Sequence, residues 1–531
     1  MPTKVVVLSG PVASGKSTLT QNLVDRFGFR CLKTRELIRA LKPDVPPERQ
    51  PLQEAGDLLD RETGGAWVSK AIEEVLAQED RNVPIVIDSV RIKDQIDAIR
   101  TAYGPIVTHV HLTAPLSELS ERYTNRNSPL GETPAYDAVR ENPTEADVES
   151  LQKCADVVID TRRSSREDVF ERVASRLRLY GSGMARLVDV MIGGQFGSEG
   201  KGNIAAFLAP EYDILVRVGG PNAGHTVYAG AEKAVFRHLP SGSTRAIRAT
   251  LVIGPGAAIW LPELQAEITR HEIEPERLKI DPRAILIEEV DRQREAELRK
   301  AIASTAQGVG QAAIRKISRT DADPVVRLAS AEPALSPYLL PTCQLLEDAY
   351  AAGKKVFLEG TQGTLLSIHH GLYPHVTSRD TTASGTLAEA GIPPTRVRRV
   401  VMVCRTYPIR VGGPSGPMGT EISWDEVAKR SGIDVTQIKE AELTTTTKTQ
   451  RRVSEFGWSD IRRAALLNGP TDIALTFADY LDGRNQDARR FEQLRPDTIE
   501  YVEELERVTG APVSLIATRF HYRNIIDRRR W

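Results

Sequence analysis

Two glycine-rich loops constrain this chain more than any other feature. "GPVASGKST", Gly10 to Thr18, follows the β-branched run "KVVVLS", and "GGQFGSEGKGN", Gly193 to Asn203, follows Leu187 to Ile192. A glycine loop between an apolar strand and a helix turns its backbone N–H groups towards phosphate, with the helix N-terminus behind them. The strand feeding such a loop is buried on both faces and needs neighbours in a parallel sheet. A chain of 531 residues also exceeds one ordinary core. The loops therefore predict two α/β domains: a P-loop kinase-type parallel-sheet domain over residues 1–180 and a second domain over 186–531. The boundary falls near residue 183 in "LRLYGSGMARLVDVMIGG", where Gly181, Ser182 and Gly183 read as a flexible joint.

The first loop satisfies G-x-x-x-x-G-K-S from Gly10 to Ser17, and its residue types follow from phosphate chemistry. Gly10 and Gly15 let the backbone wrap a β-phosphate, Lys16 neutralises the β/γ oxygens, Ser17 reaches Mg²⁺, and Thr18 continues the cradle. The helix "STLTQNLVDRFG" places Leu19, Leu23 and Phe27 on one face, and Gly28 supplies a stop. "VPIVIDS", "IVTHVHL" and "ADVVIDT" are further strands. In "VIDSVR", Asp88 is placed to orient magnesium and Arg91 to hold an acceptor phosphate; an Asp capping the next helix fits equally well. Thr34 and Arg35 in "TRELIRAL", and Arg122 and Arg126 in "ERYTNR", look like phosphate-binding and lid segments, although solvated helix faces also explain them. Over its 180 residues this domain resembles the nucleoside and deoxynucleoside monophosphate kinases, with the P-loop as the specific match.

Charge excludes some classes of partner. With 70 basic and 71 acidic residues the net charge is −1, which gives no electrostatic footprint for nucleic acid or a membrane surface. The tail Arg528-Arg529-Arg530-Trp531 reads as solvated or dimer-contacting. Cys31, Cys154, Cys343 and Cys404 lie far apart without C-x-x-C spacing and read as reduced cytosolic thiols. No apolar run approaches the ~18 residues of a membrane span, so a cytoplasmic enzyme of small molecules is expected.

The second loop breaks the P-loop pattern, because Gly202 follows Lys201. Downstream come "NAGHT" around His225, "LPSG" from Leu239, "LEGTQGTLL" from Leu358 and "YPHVTS" from Tyr373, in one order. Together these segments resemble the adenylosuccinate synthetase family across residues 186–531. The resemblance implies an adenylosuccinate synthetase-type α/β fold and a two-step ligation. A nucleoside triphosphate phosphorylates O6 of a purine monophosphate, and the amino group of L-aspartate then displaces that phosphate. By matching position it implies that His225 stabilises charge at O6 and that Lys201 rides on the β/γ-phosphates. It also places Ser198 and Glu199 at the catalytic loop, with Ser198 and the Gly224 carbonyl at Mg²⁺. Asn222, Thr305, Gln362, Thr377 and Val411 match residues around the purine nucleotide. Arg319 matches one that reaches the neighbouring subunit's nucleotide, which implies a homodimer. Gly197, Gly200, Gly202 and Asp479 match the donor site, and Thr446, Thr447 and Arg451 the aspartate carboxylates.

Three departures from the family pattern bear on substrate. Ser198 stands where the family has an aspartate that removes the N1 proton of inosine monophosphate. A serine hydroxyl is a poor base but leaves room for the 2-amino group of guanine. This serine variant is similar to the 2-aminoadenylosuccinate synthetases, so dGMP or GMP is the expected substrate. An ordinary enzyme using IMP and GTP is the alternative, and a nucleotide-sensing protein without turnover is another. Thr449 replaces an arginine on the ribose side, which favours dGMP over GMP. Phe477 replaces a lysine of the donor-base segment, and Ala517, Arg519 and Phe520 stand for serine, glycine and proline, which favours ATP over GTP as donor although Asp479 remains.

Overall fold

The computed structural model describes residues 2–77, 83–125, 136, 147–180, 185–229, 232–319, 325–444 and 449–530. Arg126, Thr446, Thr447, Trp531 and the joint Gly181–Gly183 lie outside the described residues. The chain divides into two compact units, residues 1–180 and 181–531.

Among the described residues, the first unit holds a five-stranded parallel sheet in the order β2-β3-β1-β4-β5. Its strands are β1 (Val5–Ser9), β2 (Arg30–Lys33), β3 (Ile85–Asp88), β4 (Val107–Thr113) and β5 (Val157–Asp160). The central strand β1 reads VVVLS and is buried throughout, because both of its faces are covered. Val6 and Leu8 pack with Leu19, Leu23 and Phe170 on one face, while Val5 and Val7 meet Val68, Ile72 and Ile96 on the other. Each such side chain contributes about 1.5–3 kcal/mol on burial. The helix α1 (Lys16–Phe27) leaves directly from Gly15 and ends at Gly28, whose left-handed backbone returns its N–H to the Leu23 and Val24 carbonyls.

The second unit is built on a nine-stranded sheet among the described residues. The order is Leu278–Ile280, Thr250–Ile253, β7 (Ile214–Arg217), Val356–Glu359, β6 (Val188–Gly193), Val397–Arg405, Asp472–Thr476, Val513–Ala517 and Ile525–Asp527. All neighbours pair in parallel except the last two strands. In this unit the carboxyl ends of the parallel strands share one edge, the usual place for ligands in such sheets. Gly193, Arg217, Glu359 and Arg405 are the last residues of their strands and lie on that edge. The basic tail folds back onto its own unit: Arg528 bonds Glu506, and Arg529 bonds Asp527 and Glu211. Arg528 and Arg529 are therefore paired within their own unit, while Arg530 is exposed.

Gly10, at the mouth of the first loop, has φ +138°, and a Cβ there would lie 2.2 Å from the Leu112 carbonyl oxygen. Gly10→Ala is expected to destabilise the first unit by at least about 1–3 kcal/mol, since strain and overlap act together. A thermal melt identical to that of the wild type would contradict this close packing.

Candidate active site

β6 delivers the second glycine loop, and its carboxylate turns inwards. Glu199 is fully buried; its Oε1 accepts the N–H groups of Gln195 at 3.1 Å and Gly197 at 2.8 Å, and its Oε2 pairs with the buried Lys201 ammonium. Both oxygens are committed to bracing the loop. Thr476 Oγ1 donates to the Glu199 carbonyl at 2.6 Å, tying the loop to a neighbouring strand end. Ser198, one residue earlier, is exposed and left-handed with φ +53°. A second loop closes over the first: a Cβ on Gly363 would sit 2.3 Å from the Gln195 carbonyl oxygen and 2.6 Å from the Gly197 nitrogen. That loop presents Gln362, whose Nε2 donates to Thr377 Oγ1 at 2.7 Å while its Oε1 is buried without a partner. Asn222 likewise has a buried, unpartnered Oδ1. Buried polar atoms of this kind call for a polar ligand or water.

Beside the loop lies a sealed charge cluster. Glu359 Oε1 accepts from His225 Nδ1 at 2.5 Å and from Arg217 Nη1 at 3.2 Å, and its Oε2 accepts the Ser241 N–H at 2.7 Å. Burial pushes the Glu359 carboxyl up, but Arg217, His225 and Ser241 outweigh it and hold it at about 2. Burial, helped by Arg217, lowers His225 to about 4. The ring is therefore neutral at pH 7, and because an ionised carboxylate takes a hydrogen from Nδ1, the hydrogen-bond network assigns Nε2 as the unprotonated nitrogen. Arg217 also bonds the Ala223 carbonyl at 2.7 Å and the Leu239 carbonyl at 3.2 Å, which fixes the segment carrying Gly224. Gly202 packs against this histidine: a Cβ on Gly202 would lie 3.1 Å from His225 Cβ.

On the other side of the loop, Arg405 occupies the centre. Its Nη2 donates to Glu442 Oε1 at 2.8 Å, its Nη1 lies 3.3 Å from the Ser198 carbonyl, and its guanidinium stacks 4.0 Å from the Phe477 ring. Glu442 also takes Tyr480 Oη at 3.0 Å and Arg451 Nη1 at 3.4 Å. Phe477 in turn stacks on Phe520 with centroids 5.5 Å apart. Asp479 is buried in the same segment; its Oδ2 accepts from Gln486 Nε2 at 3.2 Å and its Oδ1 has no partner. Burial raises its carboxyl to about 6, against the Gln486 bond that lowers it. Thr449 bonds across the root of the same loop to Thr444, its N–H lying 2.9 Å from Thr444 Oγ1. Gly413 lies against Ala303, so the segment bearing Thr305 neighbours the strand end at Val411. Arg319 is exposed at the end of the helix Val309–Ser318.

Sequence reasoning singled out the loops but missed Arg217, Glu359, Arg405 and Glu442. Arg217 and Glu359 share a readable signal, a single charge closing an otherwise apolar strand, whereas Arg405 closes a strand that also carries Arg398 and Arg399. Glu442 sits in a polar stretch and carries no such mark.

In the first unit Lys16 folds over its own loop, its Nζ donating to the Gly10 and Pro11 carbonyls at 2.6 and 2.8 Å. Asp88 ends β3 beside it; burial raises its carboxyl while Lys16 pulls it down. Thr34 Oγ1 reaches the Ser89 carbonyl at 2.6 Å, and the Arg91 N–H bonds Gln95 Oε1 at 3.1 Å. Arg122 is engaged by Thr161 and Glu118. Gly15 and Ser17 are exposed at the loop mouth. No described helix is long and apolar enough to cross a membrane.

A glycine loop at the carboxyl edge of a parallel sheet, next to a buried histidine–glutamate pair, defines a nucleotide-using α/β enzyme. The family model described as adenylosuccinate synthetase matches residues 190–329 and 322–486, and one described as an AAA domain matches residues 5–153. The adenylosuccinate synthetase of Thermococcus onnurineus is 37% identical over 356 residues, covering 64% of this chain and 98% of that protein. That of Methanocaldococcus jannaschii is 37% identical over 350 residues, covering 64% and 96%. Among solved structures, the fully ligated adenylosuccinate synthetase of Plasmodium falciparum superposes with TM-score 0.57 at 22% identity, over 65% of this chain and 100% of that one. The cyanophage S-2L succinoaminodeoxyadenylate synthetase bound to dGMP and dATP does so with TM-score 0.53 at 26% identity, over 65% and 96%. The chain belongs to the adenylosuccinate synthetase family of C–N ligases and carries in addition an N-terminal P-loop domain.

The histidine carries a pH signature. Its folded value lies below its unfolded 6.5, so the unfolded chain binds the extra proton, and the stability present above pH 6.5 is lost as pH falls towards 4. His109, His111 and His238, buried with values of about 4, 4 and 3, titrate in the same direction. Melting temperature against pH is therefore expected to fall between 6.5 and 4, and less steeply in His225→Asn. Equal slopes in both proteins would show that the histidine is not held neutral.

Proposed function

We propose that the C-terminal unit joins L-aspartate to C6 of dGMP, giving an N6-succinyl-2-amino-deoxyadenylate. The γ-phosphoryl group of a nucleoside triphosphate goes to O6; the aspartate amine then attacks C6, and inorganic phosphate leaves with the former O6. Phosphorylation is needed because a lactam oxygen is otherwise a poor leaving group. The observation that carries this reading is Ser198, exposed and left-handed at the loop crest where a carboxylate base would stand in an IMP enzyme. Its small side chain leaves space for a 2-amino group. The likeness to the cyanophage synthetase bound to dGMP and dATP supports the same reading.

The residues take these roles. Lys201, fixed by Glu199, faces the donor phosphates together with the N–H groups of Gly200 and Gly202, while Gly197, whose N–H is taken by Glu199, supplies the turn of the loop. His225 offers Nε2 to the O6 side; an anionic group there raises its proton affinity, and Glu359 behind the ring holds the resulting imidazolium. Gln362, Thr377 and Asn222 supply polar atoms for the purine nucleotide, joined by Thr305, Val411 and, across a homodimer, Arg319. Arg451, with Thr446 and Thr447, holds the dicarboxylate as a forked donor. Among the described residues no cluster of three His, Cys, Asp or Glu side chains is set to hold a metal. The oxygen donors Ser198 and Gly224 here, and Ser17 in the first unit, suit Mg²⁺, which keeps most of its shell in water and phosphate oxygens. When bound, that ion neutralises charge on the transferring phosphoryl group.

For the donor base, the Phe477–Phe520 stack offers aromatic surface rather than a lysine, which favours ATP or dATP. The unpartnered Asp479 Oδ1 keeps GTP as the second reading. The N-terminal unit we assign as a kinase of a (deoxy)nucleoside monophosphate, with Lys16 on the donor phosphates and Asp88 and Arg91 at the acceptor.

The test is a competition: dGMP, GMP and IMP offered together with L-aspartate, Mg²⁺, ATP and GTP, and succinylated products resolved by mass. Succinyl-dGMP is expected to dominate; succinyl-IMP alone would return the chain to ordinary adenylosuccinate synthesis. Ser198→Asp should fold normally, because aspartate tolerates the left-handed region, and should lose dGMP turnover by about 10²-fold or more, the weight of one misplaced catalytic group. Unchanged dGMP turnover in that variant would refute the size argument. In a separate assay, Lys16→Met is expected to abolish phosphoryl transfer to monophosphates while leaving succinylation intact; loss of both activities would contradict two independent sites.

A further inference from the structure

Three loops given separate tasks above converge on one buried guanidinium. Arg405, closing the strand Val397–Arg405, touches the Ser198 carbonyl of the glycine loop, the Phe477 ring of the donor-base segment and Glu442 at the root of the aspartate loop. Its backbone is locked as well: its N–H donates to Gln195 Oε1 at 2.9 Å and its carbonyl accepts from Gln195 Nε2 at 3.0 Å. The strand end thus cannot shift without the glycine loop, and only the guanidinium is left to redistribute its bonds.

The distances show where it has latitude. Nη2 is held firmly, 2.8 Å from Glu442 Oε1. Nη1 is divided between two long contacts, 3.3 Å to the Ser198 carbonyl and 3.5 Å to Glu442 Oε2. That same Oε2 is what Arg451 Nη1 reaches at 3.4 Å. Glu442 therefore serves two arginines with one charge, and Arg451 is the more loosely held and the more exposed, at 17% against 1% for Arg405. A dicarboxylate is a better partner for a forked donor than a shared carboxylate 3.4 Å away. Drawing Arg451 to it leaves Glu442 Oε2 to Arg405, while Oε1 stays shared between Arg405 and Tyr480.

We propose that Arg405 and Glu442 are a positioning pair that makes amino-acid binding at Arg451 and donor binding at the glycine loop depend on each other. The proposal rests on Arg451 as the aspartate ligand. Occupancy of Arg451 turns a divided guanidinium into one paired to Glu442 through both Nη atoms beneath Ser198 and Phe477, so the ordering cost at these segments is met once and not again by the second ligand. The coupling is positive and, by linkage, has the same size in both directions.

The experiment titrates L-aspartate into the full chain by calorimetry, with and without saturating Mg²⁺–ATP, and again with Mg²⁺–GTP. No purine monophosphate is present, so nothing turns over. Aspartate reports on one site although nucleotide binds at two, and the identity of the purine substrate does not enter. Wild type is expected to bind aspartate about tenfold tighter with its donor present, within the usual range of such couplings. Glu442→Gln and Arg405→Lys should each bring that ratio close to one while still binding aspartate. Arg405→Lys keeps the charge without the fork, so it serves if removal of the buried carboxylate impairs folding. A ratio of one in the wild type, or the wild-type ratio kept in variants that merely melt earlier, overturns the proposal. Succinyl-IMP in place of succinyl-dGMP in the competition assay would refute the substrate reading and leave this one standing.

Discussion

The contact between Arg217 and Glu359 is the constraint on which the rest of the catalytic unit depends. Two opposite charges sealed at the edge of a sheet are expensive to desolvate, and they persist only when hydrogen bonds offset most of that cost. Here the guanidinium Nη atoms are bonded to the carbonyls of Ala223, Phe236 and Leu239, and the carboxylate to a backbone N–H, a hydroxyl and an imidazole. The pair therefore specifies geometry more than it adds stability. It pins the return segment after β7, sets the tautomer of His225, and ties the strand Val356–Glu359 to its neighbour with more than ladder bonds.

Much of this was legible in the residues. Strands that are buried on both faces read largely as apolar runs, so β1 and, apart from Asp189, β6 announced themselves, as did the stop at Gly28. The two loops carried their chemistry in glycine spacing. What stayed hidden depended on side chains far apart in the chain meeting at one edge: Glu359 lies 142 residues from Arg217, and Arg405 lies 207 from Ser198. No periodicity encodes such a meeting. Glu199 shows the opposite problem. Its place in the loop suggested a reactive group, yet a carboxylate two residues before a lysine and within reach of two loop N–H groups satisfies itself inwards. The partners of the basic tail were hidden for a similar reason, since Glu211 and Glu506 become its neighbours only after folding.

The donor-base segment shows how one substitution reshapes its surroundings. A lysine at position 477 would set a second ammonium against the Arg405 guanidinium. With Phe477 there, the cation instead meets the negative face of a ring, an attraction worth about 0.5–2 kcal/mol depending on solvation. Phe520 extends the same stack and Tyr228 meets it edge-on, with centroids 5.8 Å apart. Phe477, Phe520 and Tyr228 thus form an aromatic cluster where a lysine would have placed a charge, with the Asp479 carboxyl in the same segment.

The seating of Gly363 on the Gln195–Gly197 backbone has a consequence for how the protein comes into being. The strand–loop–helix unit of the first domain needs partners drawn from its own 180 residues, and can assemble as soon as these leave the ribosome. The second glycine loop has no finished shape until residues near 360 close over it and residues near 405 and 476 lock it from beneath. Long-range closure of this kind is slow. During synthesis the nascent chain therefore passes through a stage in which its first nucleotide pocket is complete while its second is still an unclosed length of polypeptide.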